Sequence, residues 1–314
     1  MSLALLALGT ACREKKVRTP FRLGHFAAVT HTHALVARGM SERGDGILEK
    51  HLGADVTMEW LLFGSGANSL EALRDGRLDA TYVGPSPVLE AAARSKNDDL
   101  RVLAGATVGG AALVVRKDSG ITGPADFRGR RVATPQRGNT QDVQCRAWLA
   151  SHGYTITGPQ TDVTILAVPH AEQLEQWKRG EIDAAWTVEP WVSRLERDGN
   201  GTVLVRDDAM TTLLVTSTRF ANEHPERIER LLAAHRELTA WIGAHSEEAR
   251  AIVTAEMNRV TGTTIDATLV DHCWPRLRFT DTVQARDLEV FVENARRAGL
   301  DAGSPDLARL LGTR

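Results

Sequence analysis

The segment Leu70-Glu71-Ala72-Leu73-Arg74-Asp75-Gly76-Arg77-Leu78-Asp79-Ala80 returns 104 residues later as Leu174-Glu175-Gln176-Trp177-Lys178-Arg179-Gly180-Glu181-Ile182-Asp183-Ala184. Leu, Glu, Gly, Asp and Ala recur in register, with a basic residue at the fifth place. Both copies run on to Val-x-Pro, as Val83-Gly84-Pro85 and Val188-Glu189-Pro190. Each copy reads as an amphipathic helix that stops at a glycine able to take positive φ. A buried strand follows, and its carboxyl end turns into a new helix with Pro at the first helical position. Helix–Gly–strand chemistry is common by itself; the shared downstream Pro argues for a true repeat. Two copies a lobe apart predict two similar α/β lobes side by side.

The flanking sequence extends this pattern. Short apolar runs read as strands at Phe21–Phe26, Val56–Leu61, Ala80–Val83, Val102–Ala106, Ala112–Val115, Arg131–Ala133, Val163–Val168, Ala184–Val188, Val203–Val205 and Leu213–Ser217. Helical patterns lie between them, and such alternation predicts crossover connections and a mainly parallel sheet. After Phe220 the pattern becomes almost wholly helical. Ile228, Leu231, Leu232, His235, Leu238 and Ile242 fall at three-and-four spacing behind Pro225, which fits the first position of that helix. Further helices are expected around Ser246–Arg259, Ile265–Cys273 and Ala285–Arg297.

With 314 residues the chain has room for two domains and a large core without staples. Lys and Arg number 38 against 40 Asp and Glu, which argues against nucleic acid as the main partner. No apolar run approaches the ~20 residues needed to cross a bilayer. The three cysteines, Cys12, Cys145 and Cys273, are too widely spaced for a zinc finger or a disulfide framework. Cys145 has Trp148 and Leu149 at helical spacing and Cys273 precedes Trp274, so both read as inert core thiols. Cys12 closes the short apolar stretch Leu3–Ala11. This is the form of the last part of a secretory signal, and the cysteine is placed like the lipid-modified first residue of a bacterial lipoprotein. Residues 1–19 are therefore expected to be an export segment with Cys12 as a lipidation site; the bland alternative is a frayed terminus with an incidental cysteine.

Ligands of open α/β sheets bind beyond the carboxyl ends of the strands. The segments there are Ala27–His33, Gly64–Asn68, Gly84–Pro87, Pro135–Gln141 and Glu189–Trp191. Nearly all are glycines, hydroxyls or amides that open a helix. Helix starts carry unpaired N–H groups and about half a positive charge, so several converging starts could hold an oxyanion without a cluster of Lys or Arg. For any one segment, simple capping explains the residues equally well. Arg137 is the one cation among these loops, and it either pairs with an anionic ligand or is solvated. Trp186 and Trp191 flank Glu189 and form either an apolar wall for a ligand or part of the core. His31 and His33 would share a face in an extended segment, but no further ligand-spaced residues support a metal site. Nucleophile-elbow, dinucleotide and P-loop signatures are absent from the sequence, and no cofactor is expected.

Taken together, Val29-Thr30-His31, Tyr82-Val83-Gly84-Pro85-Ser86-Pro87, Gly109–Arg116, Val132-Ala133-Thr134-Pro135-Gln136 with Gly138–Asp142, and Asp183-Ala184-Ala185-Trp186 with Glu189-Pro190-Trp191 resemble the solute-binding proteins of bacterial ABC importers in the nitrate/sulfonate/taurine group. Among these the resemblance is nearest to the aliphatic-sulfonate binders. It implies a type II periplasmic-binding-protein fold: α/β, two Rossmann-like lobes joined by two crossover strands. Lobe I would comprise 20–111 plus 206–314, and lobe II 112–205. The carried-over ligand contacts are Thr30, His31, Ser65, Gly66, Pro85, Ser86, Gly110, Asn139, Thr140, Glu189 and Trp191. Arg137 stands where an apolar or small residue is expected and points to a different ligand choice. Glu189 is awkward in an anion site; it points away, pairs with Arg137 or meets an amino group. The function implied is an exported, periplasmic or cell-surface, monomeric and non-catalytic protein. It would capture a small oxyanion-bearing solute of the sulfonate, nitrate or taurine class for ABC permease subunits. The alternatives are binding of a thiamin-pyrimidine precursor and a synthase-like enzyme on the same fold.

Overall fold

The computed structural model describes residues 18–95, 99–262, 264–300 and 303–312. Among them are strands β1 (Thr19–His25), β2 (Val56–Leu62), β3 (Ala80–Val83), β4 (Leu100–Gly109), β5 (Ala111–Arg116), β6 (Arg131–Thr134), β7 (Thr164–Ala167), β8 (Ala184–Val188), β9 (Gly201–Asp207), β10 (Met210–Ser217) and β11 (Leu277–Phe279). They form two sheets, in the orders β11-β4-β10-β3-β1-β2 and β7-β6-β8-β5-β9. The export segment and Cys12 lie outside the described residues.

The internal repeat is the structural seed of both sheets. Asp79, just before β3, clamps Arg22 of β1: its carboxylate accepts from Arg22 N at 2.7 Å, Nε at 3.2 Å and Nη2 at 2.7 Å. Asp183, just before β8, takes the same three donors of Arg131 in β6 at 2.9, 3.0 and 2.8 Å. The repeat glycines Gly76 and Gly180 both have positive φ, 70° and 71°, which ends the preceding helix in each copy. The aspartate thus pins the incoming strand to its parallel neighbour, β3 to β1 and β8 to β6. Charge-assisted bonds of this kind contribute about 1.5–3 kcal/mol each. Asp79→Ala is therefore expected to lower unfolding stability by at least 2 kcal/mol. Asp183→Ala should cost less, because Arg131 is more exposed than Arg22. Chemical denaturation of the two variants side by side checks the order.

The expectation of mainly parallel sheets needs correcting. β1 pairs in parallel with β2 and β3, and β6 with β7 and β8. However, β10 is antiparallel to β3 and β4, β11 to β4, and β5 to β8 and β9. The chain passes between the sheets twice, from β4 to β5 and back from β9 to β10. A strand arriving from the other sheet enters from the opposite end and so pairs antiparallel. Gly109 and Gly110, at φ 79° and 77°, make the first crossing; Gly109 N donates to Ala209 O at 2.8 Å, tying the two crossings together. The second copy also departs in detail: Pro85 is the first helical residue as expected, whereas Pro190 caps its helix, after a cis Glu189-Pro190 bond.

Both sheets are covered on both faces. In β10, Leu214 faces one core and Leu213 and Val215 the other; in β5, Leu113 and Val115 face one side, Ala112 and Val114 the other. That period-2 division is why these strands read as continuous apolar runs. The C-terminal helices Pro225–Ala244 and Ser246–Thr261 bury Leu231, Leu238, Val253 and Met257 against the first sheet. Cys145 and Cys273 are buried, and burial pushes both thiols up. Among the described residues no helix is long and apolar enough to cross a membrane.

Candidate functional site

The starts of three helices of eight or more residues lie close together. Helix Gly66–Arg74 is capped by Ser65, whose hydroxyl accepts from Asn68 N at 3.3 Å. Helix Pro85–Arg94 begins at Gly84, and helix Thr140–Ser151 is capped by Asn139, which accepts from Asp142 N at 2.9 Å. The first two starts are packed together: a Cβ on Gly66 would lie 2.8 Å from Pro87. The second and third meet across the lobes, where Ser86 N donates to Thr140 Oγ1 at 3.3 Å and a Cβ on Gly84 would lie 2.6 Å from the same oxygen. Glycine at 66 and 84 is thus what lets three positive helix ends approach one another.

The turn Val29–His31 makes contacts with both sheets. Val29 N donates to Glu189 O of the other lobe at 3.1 Å, and Thr30 O accepts from Thr212 Oγ1 at 3.0 Å. A Cβ on Gly110 would sit 3.0 Å from the Thr30 methyl. His31 is 7% exposed, its ring lies 4.8 Å from that of Phe26, and its Nδ1 has no hydrogen-bond partner. Ser86 is 6% exposed and its hydroxyl is likewise unpartnered. Unsatisfied buried polar atoms are costly, ~1–3 kcal/mol each, so both stand out as candidates for a ligand contact. Loss of hydration lowers His31 to about 3, so the ring is neutral at pH 7.

Glu189 is turned away from that role. Its carboxylate is fully buried and accepts from Ser193 N and Oγ, both at 3.0 Å, from Cys273 Sγ at 3.2 Å and from Arg276 Nη1 at 2.7 Å. Arg276 also bonds Glu196 at 2.5 Å. The partner of Glu189 is therefore Arg276 and not Arg137. Only the Glu189 backbone reaches the crevice, through its O to Val29 and its N to Gly110 O at 2.8 Å. This network ties the helix Trp191–Asp198 to the C-terminal segment beside the Gly109–Gly110 crossing. Nothing in the spacing of Glu189 and Arg276 announced it.

Arg137 is exposed, beside Gly138 at φ 78°. Trp191 is half-buried and stacks on His170, with centroids 4.1 Å apart and planes at 14°. Trp186 is 3% exposed and packs in the second lobe's core near Trp148, the second of the two readings open for it. His33 does not share a face with His31; it lies in the first lobe's core, stacked on His235. The sequence was read as extended there, whereas a helix begins at Thr32. Thr211, Thr212 and His170 were not singled out, because isolated threonines and a lone histidine carry no motif.

The fold and part of the sequence have known counterparts. The alkanesulfonate-binding protein SsuA from Xanthomonas axonopodis pv. citri, solved bound to MOPS, superposes with a TM-score of 0.74 over 92% of this chain and 97% of that chain, at 21% identity. The aliphatic sulphonate binding protein SsuA from Escherichia coli superposes at 0.71 over 90% and 91%, at 20% identity. In sequence, the taurine-binding periplasmic protein of Escherichia coli K12 is 32% identical over 194 residues, 60% of this chain and 57% of that protein. The match thus spans less than two thirds of that relative's length. This chain thus has the type II periplasmic-binding-protein fold, its two lobes joined by the two crossings described above. The model of the NMT1-like family matches residues 14–257, and the chain belongs to that family.

Proposed function

We propose that this protein is a non-catalytic, exported solute-binding protein that captures a small oxyanion-bearing solute, sulfonate-like, between its lobes and delivers it to the permease of an ABC importer. The observation that carries this reading is the meeting of three helix starts, at Gly66/Pro87 and Ser86/Thr140, with the buried Ser86 hydroxyl left unpartnered among them. Neutral N–H and hydroxyl donors of this kind bind an anion without the desolvation cost of a buried cation. The names of the taurine-binding relative and of the sulfonate-binding structures support the solute class. In this reading lobe I is 20–111 plus 206–314 and lobe II is 112–205. Thr30, His31, Ser65, Gly66, Pro85, Ser86, Gly110, Asn139, Thr140 and Trp191 face the ligand, and Arg137 sits at the rim. The protein works as a periplasmic monomer, held to the membrane through Cys12 where that residue is lipidated. Closure follows from contacts that each lobe makes only with the loaded crevice.

Calorimetric titration with ethanesulfonate, taurine, nitrate and bicarbonate tests the reading. One-to-one binding of a sulfonate, weakened about tenfold or more by Ser86→Ala, is expected. Heat from none of these anions and from no aromatic sulfonate contradicts it, as does turnover of a sulfonate or sulfinate, since a desulfurization enzyme, DSZB, shares the fold at a TM-score of 0.65.

A further inference from the structure

A cavity of about 450 Å³ opens beside the crevice, between helix Pro85–Arg94, the start of helix Thr140–Ser151 and the C-terminal helix Ala285–Arg297. Its walls are apolar on three sides: Leu89 from the first helix, Val143 from the second, Phe291, Val292 and Ala295 from the third. Leu300 adds to the third side. Its polar side chains among the described residues are Ser86, Glu90, Arg94 and Arg137. Ser86, whose buried hydroxyl has no partner, belongs to both this cavity and the crevice. Arg137 lies at the rim, exposed; of the other two charged residues lining the cavity, Arg94 and Glu90 neutralise each other in an ion pair at 2.5 Å. Among the described residues lining the cavity, the charge left over is therefore positive.

We infer that this cavity is a second subsite of the anion-binding crevice and that it takes the bulky apolar body of the ligand, an aromatic or branched-alkyl sulfonate, with the oxyanion held at Ser86. The inference rests on the proposed function and narrows it. A nitrate or taurine has nothing to place against apolar walls on three sides, and the volume lies in the ~300–1,000 Å³ range of pockets that enclose larger ligands. The polar–apolar division is that of such a pocket: a mainly hydrophobic lining with a small number of placed polar groups. The positive rim at Arg137 favours an anion over a neutral arene. The C-terminal helix that supplies half the wall also bonds the second lobe, through Asn294 to Gln144, so filling the cavity and closing the lobes act on the same contact.

The test compares 2-naphthalenesulfonate with ethanesulfonate by calorimetry on the wild type, on Val292→Trp and on Leu300→Trp, both half-buried positions chosen to fill the cavity. The wild type is expected to bind the aromatic sulfonate at least tenfold tighter, a factor equal to ~1.4 kcal/mol. At least one filled variant that keeps the wild-type melting temperature should lose that preference while retaining ethanesulfonate affinity. Equal or tighter binding of ethanesulfonate to the wild type overturns the inference and leaves the proposed function standing. So does an aromatic preference that survives both substitutions. Binding of no sulfonate overturns both.

Discussion

Arg276→Ala is expected to destabilise the protein by about 3–5 kcal/mol, the cost of leaving a buried charge without its partner. The Glu189 carboxylate is fully buried, and Arg276 is its only cationic neighbour among the described residues. Without the guanidinium, the two bonds from Ser193 and one from Cys273 remain, all from uncharged donors. A buried carboxylate without a cationic partner carries a desolvation cost that neutral donors do not offset, and this destabilises the native state. The pair itself need not be a net gain over apolar residues, so the double variant Glu189→Gln/Arg276→Met should recover most of the loss. Scanning calorimetry of the two single variants and the double variant reads this directly. A double variant as unstable as either single one would show that the network is held by geometry rather than by charge pairing. Because the network lies beside the Gly109–Gly110 crossing, recovery of stability should be accompanied by recovery of ligand affinity.

Acidification should produce the second large effect. His25 is lowered to about 4, and His31 and His170 to about 3, in each case chiefly by loss of hydration on burial. His33 and His235 are lowered as well, for the same first reason. Their environment explains why they stay neutral. His235 Nε2 faces Gly105 O at 2.7 Å and so carries the proton, leaving Nδ1 to accept from Tyr82 OH at 2.9 Å. A group with a lowered native pKa is protonated in the unfolded chain first. Stability is then complete above pH ~6.5 and falls as the pH drops toward the native values of 4 and 3. His25, His31 and His170 each contribute about 1.4 kcal/mol per pH unit across that window. Melting temperatures measured from pH 7.5 to 4.5 should fall steeply below 6.5. His170→Gln and His25→Gln should each flatten the slope, and a profile unchanged by either would contradict the assignment.

The repeat carried most of the fold because its residues act locally. Gly76 and Gly180 end helices, and Asp79 and Asp183 each bind an arginine one strand away, so eleven residues define a strand junction wherever they occur. The antiparallel strands were not legible in the same way, since direction is fixed by where the chain returns from the other sheet. β11 was missed because three residues, Leu277–Phe279, are too few to show a period. At the site, helix starts were legible from Ser65, Gly84 and Asn139, whose chemistry is that of caps. Partners distant in sequence were not: Arg276 lies 87 residues from Glu189, and no spacing rule connects them. The cavity was hidden for the same reason. It is built where the C-terminal helix meets both lobes, a packing outcome of Phe291, Val292 and Ala295 that resembles any other apolar helix face in the sequence.

The account stands on one anion held by both lobes at once. A crystal structure with a bound sulfonate tests this most directly. The expected result places the sulfonate oxygens within hydrogen-bond distance of Ser86 Oγ and of backbone N–H groups at the start of Thr140–Ser151. A sulfonate bound to one lobe only, or outside the crevice with His31 Nδ1 and Ser86 Oγ still unpartnered, would contradict it.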